Sequence, residues 1–349
     1  MPGQNWSLNE SGAFFSNDKL SKDLIAKAQP MTRFRQFTTK RADFGKNEGQ
    51  RLNFDKLLDV ETAGGQLSEG QPIPKTGFKI RQGTCTAYPY GNSIPWTEEF
   101  ATYSEFDVTD PIQSRLINDA AKVLDAAAEA AFRQTKIVYT PLSDKDPGDD
   151  ACWSYTGVPV TQTGSNERRA MTPDDFVAIT DSMKSGVFGA ATSGTATPVP
   201  PYDEKGNYVS IASVSALREL RSPQTASAAG ATPSNSGLDF RTDLHYGNPE
   251  VLFSGEEFTA EGTRYVSENH ILGRIKNNAG APTFGGECYI FGKDPVMEIV
   301  ATPMEVRRNV PGDYGRDRGL AWYYVGGFSP YWTFDATNEP ENRIVRVAG

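Results

Sequence analysis

Histidine and cysteine are scarce in this 349-residue chain, which carries two of the former and three of the latter. His245 and His270 lie near no cysteine and in no HExxH spacing, so a zinc centre is not expected. Cys85, Cys152 and Cys288 are far apart, with no CxxC pair. An odd count without a small scaffold excludes a disulfide framework and predicts free thiols in a reducing compartment. Long apolar runs are missing too. Lys122, Asp125 and Glu129 break even the alanine-rich stretch, so no membrane span is expected. The first residues, MPGQNWSLNESG, do not read as a signal peptide. Basic excess is absent, with a net charge of −9. That argues against gripping nucleic-acid phosphates as the main task, and it favours solubility with mild repulsion between copies.

The motifs that remain carry no catalysis. No GxSxG elbow occurs. Residues 286–293 imitate a phosphate loop, but five residues separate the glycines where four are needed, and Asp294 replaces the Mg²⁺-holding Ser/Thr. Asp144, Asp146, Asp149 and Asp150 imitate a calcium loop. Pro147 interrupts it, and Tyr155 stands where a bidentate Glu belongs. Glu98/Glu99 and Glu256/Glu257 are adjacent in sequence, so on a strand they would face opposite sides and could not form an acid/base pair. No enzyme, no cofactor and no metal are expected.

What is present leans towards strands and turns: 33 Gly, 23 Pro, 14 Tyr and 19 Phe. Against that background, residues 110–136 carry the longest helix signal. Asp110 can cap, Pro111 fits the first turn, and Ile112, Leu116, Ala120, Val123, Ala127 and Ala130 recur at helical spacing. Seven alanines between Ala120 and Ala131 keep the face thin enough for close packing on a sheet.

Before that helix, residues 1–50 read as weakly structured apart from a short helix at 19–28. Residues 32–46 hold Arg33, Arg35, Lys40, Arg41 and Lys46 against Asp43 alone. This is either a solvated tail or an arm that reaches a neighbouring subunit or DNA. Leu52, Phe54 and Lys56 alternate as in a strand, residues 63–74 are rich in Gly and Pro, and Phe78, Ile80 and Thr84 fit a returning strand. A hairpin that long is marginal alone and calls for a neighbour. Residues 91–104 lead back to the helix.

After the helix, an acidic turn at 141–150 precedes a second helix from Pro173 to about Lys184, with Thr172 as cap and Gly186 as stop. A buried strand at 208–212, a short helix at 214–221 and polar loops at 189–206 and 222–248 follow. Strands are read at 288–291, 296–301, 305–310, 320–327, 331–334 and 343–347. A β-rich end must be covered, and the long helix has the apolar length to lie across it.

This order of parts resembles the major capsid proteins of tailed double-stranded-DNA bacteriophages, the Johnson capsid fold. The stretches that carry the resemblance are 67–74 (LSEGQPIP), 90–97 (YGNSIPWT), 255–269 (GEEFTAEGTRYVSEN), 289–294 (YIFGKD) and 316–328 (RDRGLAWYYVGGF). It implies an α+β fold with an N-terminal arm (1–50), an extended β-hairpin loop (51–100), a peripheral domain with a long spine helix (101–140), an axial domain (141–285) and peripheral-domain strands with the C-terminus (286–349). It also implies a shell subunit that self-assembles into hexamers and pentamers around DNA, in a virion capsid made in the bacterial host cytoplasm. Contacts between subunits would involve Leu67, Glu69, Gly70, Pro72, Pro74 and Lys75 on the loop, and Arg33, Arg35, Lys40 and Arg41 on the arm. The further partners implied are a separate scaffolding protein, a portal at one vertex and a decoration protein. DNA would be enclosed without sequence-specific binding, and no membrane is involved. Some relatives join Lys to Asn covalently. Lys75 and Lys79 sit on the loop, but no matching Asn and Glu are identified, so crosslinking is not expected. A β-rich adhesin or carbohydrate-binding protein is the alternative, using Trp322, Tyr323, Tyr324, Tyr331 and Trp332.

Overall fold

The computed structural model describes residues 32–41, 44–45, 47–58, 65–67, 69–70, 72–73, 75–104, 108–160, 168–169, 171–189, 196–214, 216–217, 253, 256–260, 262–268, 271, 287–310, 313–335 and 339–348. The helix read at 19–28, both histidines, Pro74 and most of the helix read at 214–221 lie outside the described residues.

Three sheets are built around one long helix. The first has four strands: β1 (Thr38–Lys40), β11 (Val296–Arg308), β12 (Asp317–Pro330) and β4 (Tyr88–Thr97), in that spatial order. β11 and β12 form a long antiparallel hairpin, β4 pairs antiparallel with β12, and β1 lies parallel to the start of β11. Leu320, Trp322 and Tyr324 of β12 are buried at every second position, the period of a sheet with one covered face. The cover is the helix α2 (Thr109–Phe132), through Leu116, Ala120 and Leu124. At 24 residues α2 is about 36 Å long.

The second sheet has seven strands, in the order β6 (Trp153–Ser154), β5 (Val138–Tyr139), β13 (Ile344–Ala348), β10 (Glu287–Phe291), β7 (Tyr208–Ser213), β9 (Thr263–Glu268) and β8 (Glu256–Ala260). Every residue of β9, β10 and β13 is buried, because both faces are covered. On one face lies α3 (Pro173–Ser185), packing Phe176, Ile179 and Met183 against Tyr265, Tyr208 and Ile290. Its ends follow local chemistry. Thr172 and Asp175 form a reciprocal capping box, and Gly186 closes the helix at φ 75°. On the other face lies the last turn of α2. Phe132 meets Phe291 at 5.1 Å and Phe34 at 5.5 Å. The long helix therefore serves both sheets, with residues 116–124 on the four-stranded one and 128–132 on the seven-stranded one.

The third sheet is the antiparallel hairpin of β2 (Arg51–Leu57) and β3 (Ile80–Thr86), in the alternation read from Leu52, Phe54 and Lys56.

Five sequence expectations change. First, α2 starts at Thr109 with Val108 as cap, and Asp110 stands in the first turn, where its charge faces the positive end of the helix dipole. The helix ends at Phe132, after which Thr135 Oγ1 donates to the carbonyl of Ile344 (2.6 Å) and steers the chain into β5. Second, the buried row after Ala120 is Leu124, Ala128 and Ala131; Val123 and Ala127 are half-buried and Ala130 is exposed. With so many alanines both rows look apolar, and the larger Leu124 and Phe132 decide. Third, residues 91–104 hold β4 and α1 (Glu98–Tyr103), so Glu98 and Glu99 sit in a helix turn. Pro89 and Pro95 disguise β4, and it is an edge strand, where proline is tolerated. Fourth, β10 and β13 join β7 and β5 in the seven-stranded sheet, not the four-stranded one, and residues 331–334 form no strand. Fifth, residues 34–40 are packed structure. Phe34 and Phe37 are fully part of the core.

Candidate functional site on the extended hairpin

Hydrogen bonds from Ala87 N to Gln50 O (2.8 Å) and from Leu58 N to Lys79 O (3.0 Å) frame an unbroken β2–β3 ladder. Its root is anchored. Phe54, Cys85 and Ala87 pack with Met297 and Ile299 on the face of the four-stranded sheet opposite α2. Phe54 meets Tyr331 edge-on at 6.0 Å. Lys56 reaches inward to Glu339 (2.6 Å), its ammonium 5.3 Å from the Trp332 ring. A buried cation is tolerated here because carboxylate and ring face both answer it. Gly83 makes room: a Cβ there would run into the Phe54 ring and come within 2.7 Å of Lys56 Cε. Burial pushes the Cys85 thiol up to about 11, which leaves it protonated and unreactive.

Beyond the root the environment inverts. Every described residue from 65 to 82 is exposed. Large apolar side chains are among them: Ile73 (71%), Phe78 (62%), and also Leu67 and Ile80. Single exposed apolar residues are ordinary, but four on one excursion mark a surface made for contact.

The residues predicted from sequence fall in two places. Leu67, Glu69, Gly70, Pro72 and Lys75 lie on the exposed outer loop, with Gly70 at φ +84°; Pro74 is outside the described residues. Arg33, Arg35, Lys40 and Arg41 lie on the segment that packs on the body. Arg35 pairs with Glu298 of its own chain (2.7 Å), and its backbone N donates to Asp125 (3.0 Å). Thr38 Oγ1 and the Tyr324 hydroxyl also donate to the fully buried Glu298. Burial, together with the Glu298 charge, pushes the Tyr324 hydroxyl well above its ordinary value. Lys40 sits in β1 beside Glu298, and Arg41 N donates to the Glu298 carbonyl. Leu57, Ile73, Phe78 and Ile80 were not singled out as site residues. Their signal was available as bulky apolar residues within and beside a Gly/Pro-rich loop.

Of the aromatic residues near the C-terminus, Trp322 and Tyr324 are core residues under α2, while Tyr323, Tyr331 and Trp332 are half-buried. Among the described residues, no group of three or more His, Cys, Asp or Glu could hold a metal ion, and no helix is long and apolar enough to cross a membrane.

No family model and no curated protein matches the sequence. Solved structures do match the fold. The capsid of Ralstonia phage GP4 superposes with a TM-score of 0.63 at 13% identity, covering 99% of this chain and 98% of that one. The acidic stable capsid of Helicobacter pylori bacteriophage KHP30 gives 0.61 at 11% identity, covering 100% and 99%. The Cyanophage Pam1 capsid gives 0.60 at 13% identity, covering 95% of each chain. The chain has the phage capsid fold. At such low identity the likeness is one of backbone path, so the capsid fold here is carried by order, pairing and packing of elements.

Proposed function

We propose that this chain is a major capsid protein whose copies self-assemble into hexamers and pentamers and close an icosahedral shell around packaged double-stranded DNA. One observation carries the proposal: in a chain with the capsid fold along its length, the outer hairpin holds Leu67, Ile73, Phe78 and Ile80 exposed to solvent among the described residues. A neighbouring copy supplies the cover. Such a contact joins two different surfaces, so it propagates around a ring until the rotation closes. The net charge of −9 suits a container that encloses DNA without clinging to it.

In this reading the hairpin is the extended loop, α2 with the four-stranded sheet is the peripheral domain, and α3 with the seven-stranded sheet is the axial domain. The role is structural and no residue is assigned to catalysis. Leu67, Glu69, Gly70, Pro72, Pro74 and Lys75 contact the neighbour. A separate scaffolding protein, a portal at one vertex and a decoration protein are the further partners to seek, and assembly takes place in the bacterial cytoplasm.

The test is deletion of residues 63–75. The expected product is a folded subunit that forms no particles in negative-stain microscopy, while the intact chain, alone or with its scaffolding protein, forms uniform shells. Normal particles from the deletion overturn the role of the loop. An intact chain that never assembles overturns the shell.

A further inference from the structure

A protein that gathers many copies of itself must control which of its sheet edges can pair, because an open edge is a template for another strand. β4 is an edge of the four-stranded sheet and runs ten residues, long enough to be a hazard. Its hydrogen-bond parity can be read directly. Glu98 N donates to Arg316 O (2.8 Å), and the register continues without a break from Asp317↔Thr97 to Gly326↔Tyr88. The backbone groups of residues 88, 90, 92, 94 and 96 therefore face β12, and those of 89, 91, 93, 95 and 97 face outward.

Three of those five outward positions have no hydrogen to offer an incoming strand. Pro89 and Pro95 lack one. Ser93 N donates to Asn92 Oδ1 (2.9 Å), and Asn92 is held in place by its Nδ2 bond to Asp119 (2.9 Å). Gly91 and Thr97, the latter already turning into α1, are left. The opposite edge is broken as well. β1 covers Val296 to Glu298, and beyond it β11 carries Pro303 and two register shifts. In the seven-stranded sheet, the edge strand β6 has two residues and β8 is irregular between Glu256 and Phe258. Among the described strands, those of the hairpin differ. β2 keeps seven residues with no proline and no register shift.

We propose that the outer edge of β4 is closed to strand addition by Pro89, Pro95 and the Asn92 side chain, so that two copies cannot join sheet to sheet through it and association is left to the hairpin. The proposal rests on the self-assembly reading for its purpose, but its test does not. The full-length triple variant Pro89→Thr, Pro95→Thr, Asn92→Ala is compared with the unaltered chain by sedimentation velocity, below the concentration at which particles form. The expected result is a shift from monomer to dimer in the variant only. Adding Ser93→Cys to each background reports the contact directly, since the native cysteines are buried. An oxidised intermolecular disulfide is expected in the variant and not in the otherwise unaltered chain. A monomeric triple variant overturns the proposal, as does a disulfide already formed without it. Pro95→Thr with Ser93→Cys, which leaves Asn92 and Pro89 in place, repeats the test with one edge donor restored. Misfolding of that milder variant also overturns the proposal, because an outward-facing nitrogen should be replaceable without touching β12. If the unaltered chain forms no shells, the function proposed above fails while the edge comparison still stands on its own result.

Discussion

At its root the β2–β3 hairpin belongs to a core; along its outer half every described residue is exposed. Phe54, Lys56 and Cys85 are buried against β11, Tyr331 and Glu339. Further out, Leu67, Ile73, Phe78 and Ile80 stand in water. Burying one such side chain stabilises by about 1.5–3 kcal/mol. The root collects that gain within the folded chain, whereas the outer half collects it only when another surface arrives. Apolar content is similar in the two halves, so composition does not separate core from interface. Burial does.

Substitutions at the two ends test this difference. The largest effect is expected at the root: Phe54→Ala should cost about 3–5 kcal/mol in urea unfolding, the range for emptying an aromatic core site. A loss below about 0.5 kcal/mol, the scale of an ordinary surface change, would break the comparison. Gly83→Val comes next, at about 1–3 kcal/mol, because the new side chain must displace Phe54 or Lys56. The smallest effect on stability is expected outside. Ile73→Asn with Phe78→Asn should shift the unfolding midpoint within surface scatter, about 0.5 kcal/mol per site, yet reduce the yield of assembled particles. If that pair unfolds the subunit and leaves assembly intact, the outer half is structural and the assignment of the two halves reverses.

Much of the architecture was legible along the chain. The capping box at Thr172 and Asp175, the stop at Gly186, the alternation in β2 and the apolar run 288–291 in β10 each announce an element through interactions a few residues apart. β4 was hidden because its prolines speak against a strand, and they are admissible only at an edge, which no local pattern reveals. The packed turn at Phe34–Phe37 was hidden among basic residues, since the groups that order it are distant: Asp125, Phe132 and Glu298. Of the candidate site, the glycine- and proline-rich loop and Leu67 were visible, while Phe78 and Ile80 were read only as strand residues.

The sequence by itself determined the start and stop of α3, the alternation of β2 and that the long helix would lie on a sheet. Those properties rest on caps and periodicity, which act over one or two turns of chain. Tertiary structure alone decided that β10 and β13 join β5 and β7, that α2 turns Ala128 rather than Ala127 to the core, and that the hairpin is buried at one end and bare at the other. A strand covered on both faces and a helix rich in alanine fit several partners equally well. Which one they meet is settled only when residues far apart in sequence compete for the same surface.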